Sequence, residues 1–199
     1  MAENARIVRE DDVRICDMAT EWEATIEDLY RVHAKKAELV GGKLVVMSPG
    51  GGLHGFAALQ IAASLLDYER CTQSGHAVGD SVGFVVNLPD RRSFCPDAAY
   101  CTQPLTEKFV DGAPVFAVEV RGAKDDGPAA ETRMARKRAD YFAAGTAVVW
   151  DVDVLKDQLV RVYRATDPST PAIFRRGDLA EAEPAVPGWS MKVDDLFPG

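Results

Sequence analysis

The stretch PVFAVEV, residues 114–120, constrains this chain more than any other, because it is an almost continuous apolar run interrupted only by Glu119. Runs of this kind suit an interior β-strand covered on both faces. An ionised carboxylate there, left unpaired, costs several kcal/mol, so Glu119 needs a cation, a metal or a proton. Asp97 poses the same problem in FCPDAAY, directly after Pro96. Either acid alone is better accounted for by a strand end, where it reaches water or an arginine. Together, on neighbouring strand candidates, they point to a shared site. Two carboxylates converging on one point repel each other unless a divalent ion lies between them. Oxygen ligands of this kind suit Mg²⁺ or Mn²⁺ better than zinc.

The remaining patterns supply the frame. Glu21–Lys36 places Trp22, Ile26, Leu29, Tyr30 and His33 on one helical stripe. AELV and KLVVM flank Gly41-Gly42 as a tight hairpin requires. After the loop Ser48–Gly52, a second helix is predicted over Leu53–Tyr68, with Ala58, Ile61, Leu65 and Tyr68 on one face. SVGFVVNL and SFCPDAAYC read as extended. Pro128–Ala144 reads as a helix with Gly145 at its C-cap. AVVWDVD and QLVRVYR read as the two strands of a hairpin, and AVPGWSMKVDDLF supplies a last strand and an apolar anchor. No internal repeat or linker interrupts this order. Residues 20–199 are therefore read as one α/β domain with a mixed sheet, after an N-terminal extension over residues 1–19.

Composition narrows the function. At 199 residues the chain is short for two domains, and 47% hydrophobic with 27% charged residues argues against disorder. A net charge of −8 excludes a uniformly basic coat for gripping phosphates, although a local basic face remains compatible with it. The longest uncharged apolar stretch, Leu53–Leu66, contains His54, Gln60 and Ser64 and is too short to span a bilayer. The N-terminus carries acids and no apolar core, unlike a secretory signal. A cytoplasmic location without membrane partners is the expectation, with Cys16, Cys71, Cys95 and Cys101 reduced. None of the four forms a CxxC pair, and no histidine has zinc-finger spacing.

In AETRMARKRADYFAAG, helical spacing gathers Met134, Lys137, Tyr141 and Ala144 on one face, while Arg133, Arg136 and Asp140 read as solvated. Periodicity alone leaves two roles open for Lys137. Its stem could snorkel over Tyr141. Alternatively, its ammonium faces the carboxylates, orients a water and neutralises charge developing on a phosphate.

Asp97 inside PDAAY, Glu119 inside VEV and a lysine four residues before a tyrosine in KRADYFAAG resemble the PD-(D/E)XK nuclease superfamily. With AELVGGKLVVMSP, the histidine after it, KRADYFAAGTAVVWDVD and VPGWSMKVDDLF, the chain resembles more narrowly the Uma-type endonuclease family, over residues 20–198. The resemblance implies a restriction-endonuclease-like fold, a mixed β-sheet flanked by α-helices. It also implies hydrolysis of phosphodiester bonds in nucleic acid, DNA being favoured, with Mg²⁺ or Mn²⁺ as cofactor. Carried over by position, Asp97 is the metal-binding aspartate and Glu119 the acid of the ExK element, with the Val120 backbone carbonyl as a further metal ligand. Glu38 matches the acidic position of the first strand. The residue two beyond Glu119 is Arg121, which stays protonated and cannot act as a base. The lysine role thus falls to Lys137 on the following helix, beside Tyr141. His54 matches the histidine after the Ser-Pro loop, as a catalytic residue or as a polar residue near a helix start. The loop RGAKDDGPAA departs from the pattern by lacking the Ser-Pro that commonly follows ExK.

Two rival classes remain at this stage. Arg121 and the negative charge motivate a catalytically silent nuclease-fold binding or scaffold protein. A small-phosphoester hydrolase is the other, although Gly50-Gly51-Gly52 lacks the Lys-Ser/Thr of a P-loop. A homodimer is compatible with cutting both strands of a duplex.

Overall fold

A computed structural model describes residues 7–9, 23–32 and 36–199. Its elements run β1 (Ile7–Arg9), α1 (Ile26–Arg31), β2 (Ala37–Val40), β3 (Lys43–Val46), α2 (Gly52–Thr72), β4 (His76–Val78), β5 (Phe84–Val85), β6 (Ser93–Phe94) and β7 (Ala98–Cys101). They continue with β8 (Val110–Asp111), β9 (Phe116–Val120), α3 (Pro128–Ala143), β10 (Val148–Asp153), β11 (Leu159–Arg164), β12 (Asp167–Arg175), β13 (Leu179–Glu181) and β14 (Ser190–Lys192), closed by a 3₁₀ turn, Val193–Leu196.

The central sheet has six strands in the order β12-β11-β10-β9-β7-β4. Only β9 and β10 pair in parallel, as the α3 crossover between them demands, and the other neighbours are antiparallel. Side chains alternate across this sheet. Phe116, Val118 and Val120 of β9, with Val148, Trp150 and Val152 of β10, pack against Ala57, Ala58, Ile61 and Leu65 of α2 and against Trp189, Met191 and Leu196 of the C-terminal segment. Ala117, Val149 and Ala99 point the other way, toward Tyr141 of α3 and toward Phe84, Phe94 and Val110 of a small sheet ordered β6-β5-β8. The β2–β3 hairpin docks on that small sheet through Arg92 N–H to Leu39 O at 2.9 Å and Gly41 N–H to Asp90 O at 2.7 Å. β1 adds to β3 in parallel.

This is the mixed sheet with flanking helices that the sequence predicts, with differences that have local causes. α1 covers only Ile26–Arg31: Thr25 caps its start, its Oγ1 accepting from Asp28 N–H at 3.2 Å and Asp28 Oδ2 accepting from Thr25 N–H at 2.9 Å, and Val32 turns extended at its end. Trp22 and His33 of the predicted stripe lie outside the described residues, and Lys36 leads into β2 instead of ending a helix. α2 is longer than its apolar stripe, reaching Thr72. SVGFVVNL pairs only at Phe84–Val85, since the chain then turns, with Leu88 N–H donating to Arg91 O. DPSTPAIFR, which holds two prolines, forms the edge strand β12, unforeseen from its polar composition. The predicted extension over residues 1–19 lies outside the described residues apart from Ile7–Arg9, as does Cys16; Cys71, Cys95 and Cys101 are free thiols. Among the described residues no helix is long and apolar enough to cross a membrane.

Trp150 is fully buried between Phe116 and Trp189, with ring centroids 5.4 and 5.0 Å away, and its indole N–H donates to Glu181 O at 3.0 Å. Trp150→Ala is expected to cost about 3–5 kcal/mol, read as a lower urea midpoint at an unchanged m-value.

Candidate active site

Alternation along β9 turns Glu119, like Ala117, toward α3. The β7–β9 register pairs Ala98 with Val118, so the next step sets Asp97 opposite Glu119, anchored by Asp97 N–H donating to Val118 O at 3.0 Å. On the other side the parallel register pairs Glu119 with Asp151 of β10. Three acids thus stand in a row on one face of the sheet. Like charges side by side on a sheet are destabilising, and each acid here carries its own donors.

Asp97 is 3% exposed. Its Oδ2 accepts the Val120 N–H at 2.7 Å and lies 3.4 Å from His54 Nε2, while Oδ1 is paired with Lys36. Lys36 also reaches Asp80 at 2.9 Å. His54 comes from the first turn of α2, where Gly50 leaves it room: a Cβ there would collide with the His54 ring. Burial works against the Asp97 charge, but the hydrogen bond from His54 and the Lys36 ammonium outweigh it and hold the carboxyl well below the usual carboxylate range.

Glu119 accepts Tyr141 OH on Oε1 at 2.7 Å and Lys137 Nζ on Oε2 at 2.8 Å. The same Lys137 Nζ is 2.8 Å from Glu38 Oε1. Glu38 is buried at the start of the β2–β3 hairpin, where it accepts Cys95 N–H at 2.9 Å and Arg91 at 2.5 Å. Arg91 reaches onward to Asp140 of α3 at 2.8 Å. Burial, and then the Asp97 and Glu38 charges, raise the Glu119 pKa against the pull of Lys137. Burial would lower the Lys137 pKa, but Glu119 and Glu38 hold it above the ordinary lysine value. Lys137 is a fixed cation here and not a base at neutral pH.

Asp97, Glu119, Lys137, Glu38, His54 and Tyr141 are therefore brought together. Val120 meets them through its N–H. Arg121 does not join them: its guanidinium forks onto Asp151 at 2.6 and 2.8 Å and onto Glu131 of α3. Arg138 also binds Asp151, at 3.1 Å, and stacks over Tyr163. The other α3 arginines are compensated too, Arg133 lying 3.9 Å from Asp125 and Arg136 3.1 Å from Asp90. Asp140, read as solvated, is instead held by Arg91. Sequence reasoning missed Lys36 and Asp80, and left Arg91 unassigned. Lys36 stands two residues before Glu38, the spacing that puts both on one side of a strand, and that was the available signal.

The sequence profile of the Uma2 family, described as "Putative restriction endonuclease", matches residues 23–194. The chain belongs to the Uma2 family. Its fold is similar to the crystal structure of a "putative nuclease belonging to DUF820" from Anabaena variabilis, with a TM-score of 0.68 at 17% identity, covering 87% of this chain and 97% of that one. At that identity the likeness speaks for the fold alone. None of the curated proteins compared with the chain matches it.

Divalent metals are typical of such families, and this Uma2 chain offers a compatible donor set. Five carboxylates, Glu38, Asp80, Asp97, Glu119 and Asp140, face three permanent cations, Lys36, Arg91 and Lys137. The excess is negative and presented on hard oxygens, as Mg²⁺ or Mn²⁺ requires. Among the described residues no three His, Cys, Asp or Glu side chains already converge on one point. Ammonium groups stand between them.

The His54 pKa is raised above its ordinary 6.5, first by its hydrogen bond to Asp97. Its contribution to stability is fully present below pH 6.5 and is lost as pH rises through the folded value. Asp97→Asn is expected to move the His54 midpoint down toward 6.5, followed by NMR titration of the imidazole.

Proposed function

We propose that this Uma2 protein is a divalent-metal-dependent endonuclease acting on nucleic acid, with duplex DNA as its substrate. The single observation that carries this reading is the Lys137 ammonium, 2.8 Å from both Glu119 and Glu38, beside an Asp97 that faces Glu119 across the sheet. The bound ion would be held by Asp97 and Glu119, with the Val120 carbonyl as a backbone donor. When bound, Mg²⁺ or Mn²⁺ supplies polarisation of the scissile phosphate and a water of lowered pKa.

The chain's own groups do the rest. Tyr141 fixes Glu119 through Oε1, leaving its carboxylate plane set by the α3 helix. Lys137, permanently charged, orients the attacking water and offsets the charge that builds on the phosphate oxygens. Glu38, locked by Arg91 and the Cys95 N–H, holds Lys137 from behind so that its three N–H donors are directed and not free to rotate. His54 holds a proton at Nε2 against Asp97, which keeps that carboxylate ionised. Arg121 takes no part in the chemistry and ties β9 to α3 and β10 instead.

Mg²⁺-dependent nicking of supercoiled plasmid tests the reading. Lys137→Ala, checked for native circular dichroism, is expected to lower the cleavage rate by at least about 100-fold, the scale of one lost charge-stabilising donor. Equal rates in the two proteins would remove the mechanism.

A further inference from the structure

Asp97 has one oxygen left for a cation, and a lysine holds it. Oδ2 is committed to the Val120 N–H at 2.7 Å and to His54 at 3.4 Å, so Oδ1 remains, and its partner is Lys36. The Lys36 side chain is only 14% exposed, and its ammonium also touches Asp80 Oδ1 at 2.9 Å, on a carboxylate that is 52% exposed. Lys137 is placed differently. It bridges Glu119 and Glu38, and buried Glu38 needs it whatever sits on Asp97.

Without Lys36, buried Asp97 would keep only the Val120 N–H and His54 against the Glu119 charge beside it. Lys36 supplies a full counter-charge, and an ammonium held on Oδ1 repels a divalent ion bound to the same oxygen. Resting on the metal-dependent reading above, we propose that Lys36 is a resident counter-ion which a divalent cation displaces from Asp97 onto Asp80. Lys36 is thus a positioning residue that sets the affinity for the metal, and Asp80 is where its charge goes when the metal arrives. A lysine suits this exchange, being a point charge on a flexible four-carbon stem with no fixed bidentate geometry to break.

The proposal predicts effects of opposite sign at neighbouring residues. Mn²⁺ titrated by calorimetry into the full chain, without nucleic acid, reads them directly. Lys36→Met is expected to bind Mn²⁺ roughly tenfold more tightly, the equivalent of one partly buried ion pair removed as competitor. Asp80→Asn, which removes the exposed landing place, is expected to bind more weakly than wild type. The double variant should match Lys36→Met, because Asp80 acts only through the lysine. A double variant weakened as much as Asp80→Asn alone would reduce Asp80 to a remote charge and overturn the hand-over. Unchanged or weaker binding in natively folded Lys36→Met overturns the proposal, while binding that is still lost in Asp97→Asn leaves the metal reading standing. Should Lys36→Met fail to fold, Lys36→Gln keeps a donor on Asp97 and carries the same expected sign. No Mn²⁺ binding in any of these proteins would remove both readings together.

Discussion

The register of β7, β9 and β10 sets Asp97, Glu119 and Asp151 side by side on the α3 face of one sheet. The backbone offers the row one donor, the Val120 N–H on Asp97, and the surrounding polar groups are arranged to offset the rest of the repulsion. Lys36 and His54 approach from the β2 and α2 side, Lys137 and Tyr141 from α3, and Arg121 and Arg138 close the third acid. Even the docking of the β2–β3 hairpin belongs to this scheme, since it carries Glu38 in to hold Lys137 and receives Arg91 in return.

The choice of cation differs along the row. Asp151 is 1% exposed and gripped by two guanidinium groups, one of them a two-pronged fork. Planar forks of this kind are rigid and remain charged, which suits a joint that binds strand to helix. Asp97 is met by the Lys36 ammonium, a compact charge on a flexible stem, and Glu119 by the Lys137 ammonium, which Glu38 holds in place. The sheet therefore has a sealed end at Asp151 and an exchangeable end at Asp97, with Glu119 between them.

Much of the site was legible because its members obey local periodicities. Glu119 betrays itself inside an apolar strand, and Lys137 and Tyr141 share a helical stripe with spacing of four. Glu38 and His54 came from the family resemblance and not from any pattern. Arg91 had no local signal at all, since its partners Glu38 and Asp140 lie 53 and 49 residues away. Lys36 was hidden by an overlong helix: its alternation with Glu38 becomes visible only once α1 ends at Arg31, where Val32 turns extended. The fold follows the same rule. Buried β9 and β10 were plain, whereas β12, mostly exposed and rich in polar residues, lacks the apolar alternation that marks a strand.

β12 has a consequence for how copies of this chain can meet. It is the outermost strand of the central sheet, nine residues long, and an open edge of that length is an invitation to pair with another chain. Pro168 and Pro171 interrupt it, each removing a main-chain donor that an incoming strand would need. Continuous sheet-to-sheet joining across this border is thereby blunted. Strand addition is opposed here, and the opposite edge of the same sheet, β4, offers only three residues, His76–Val78.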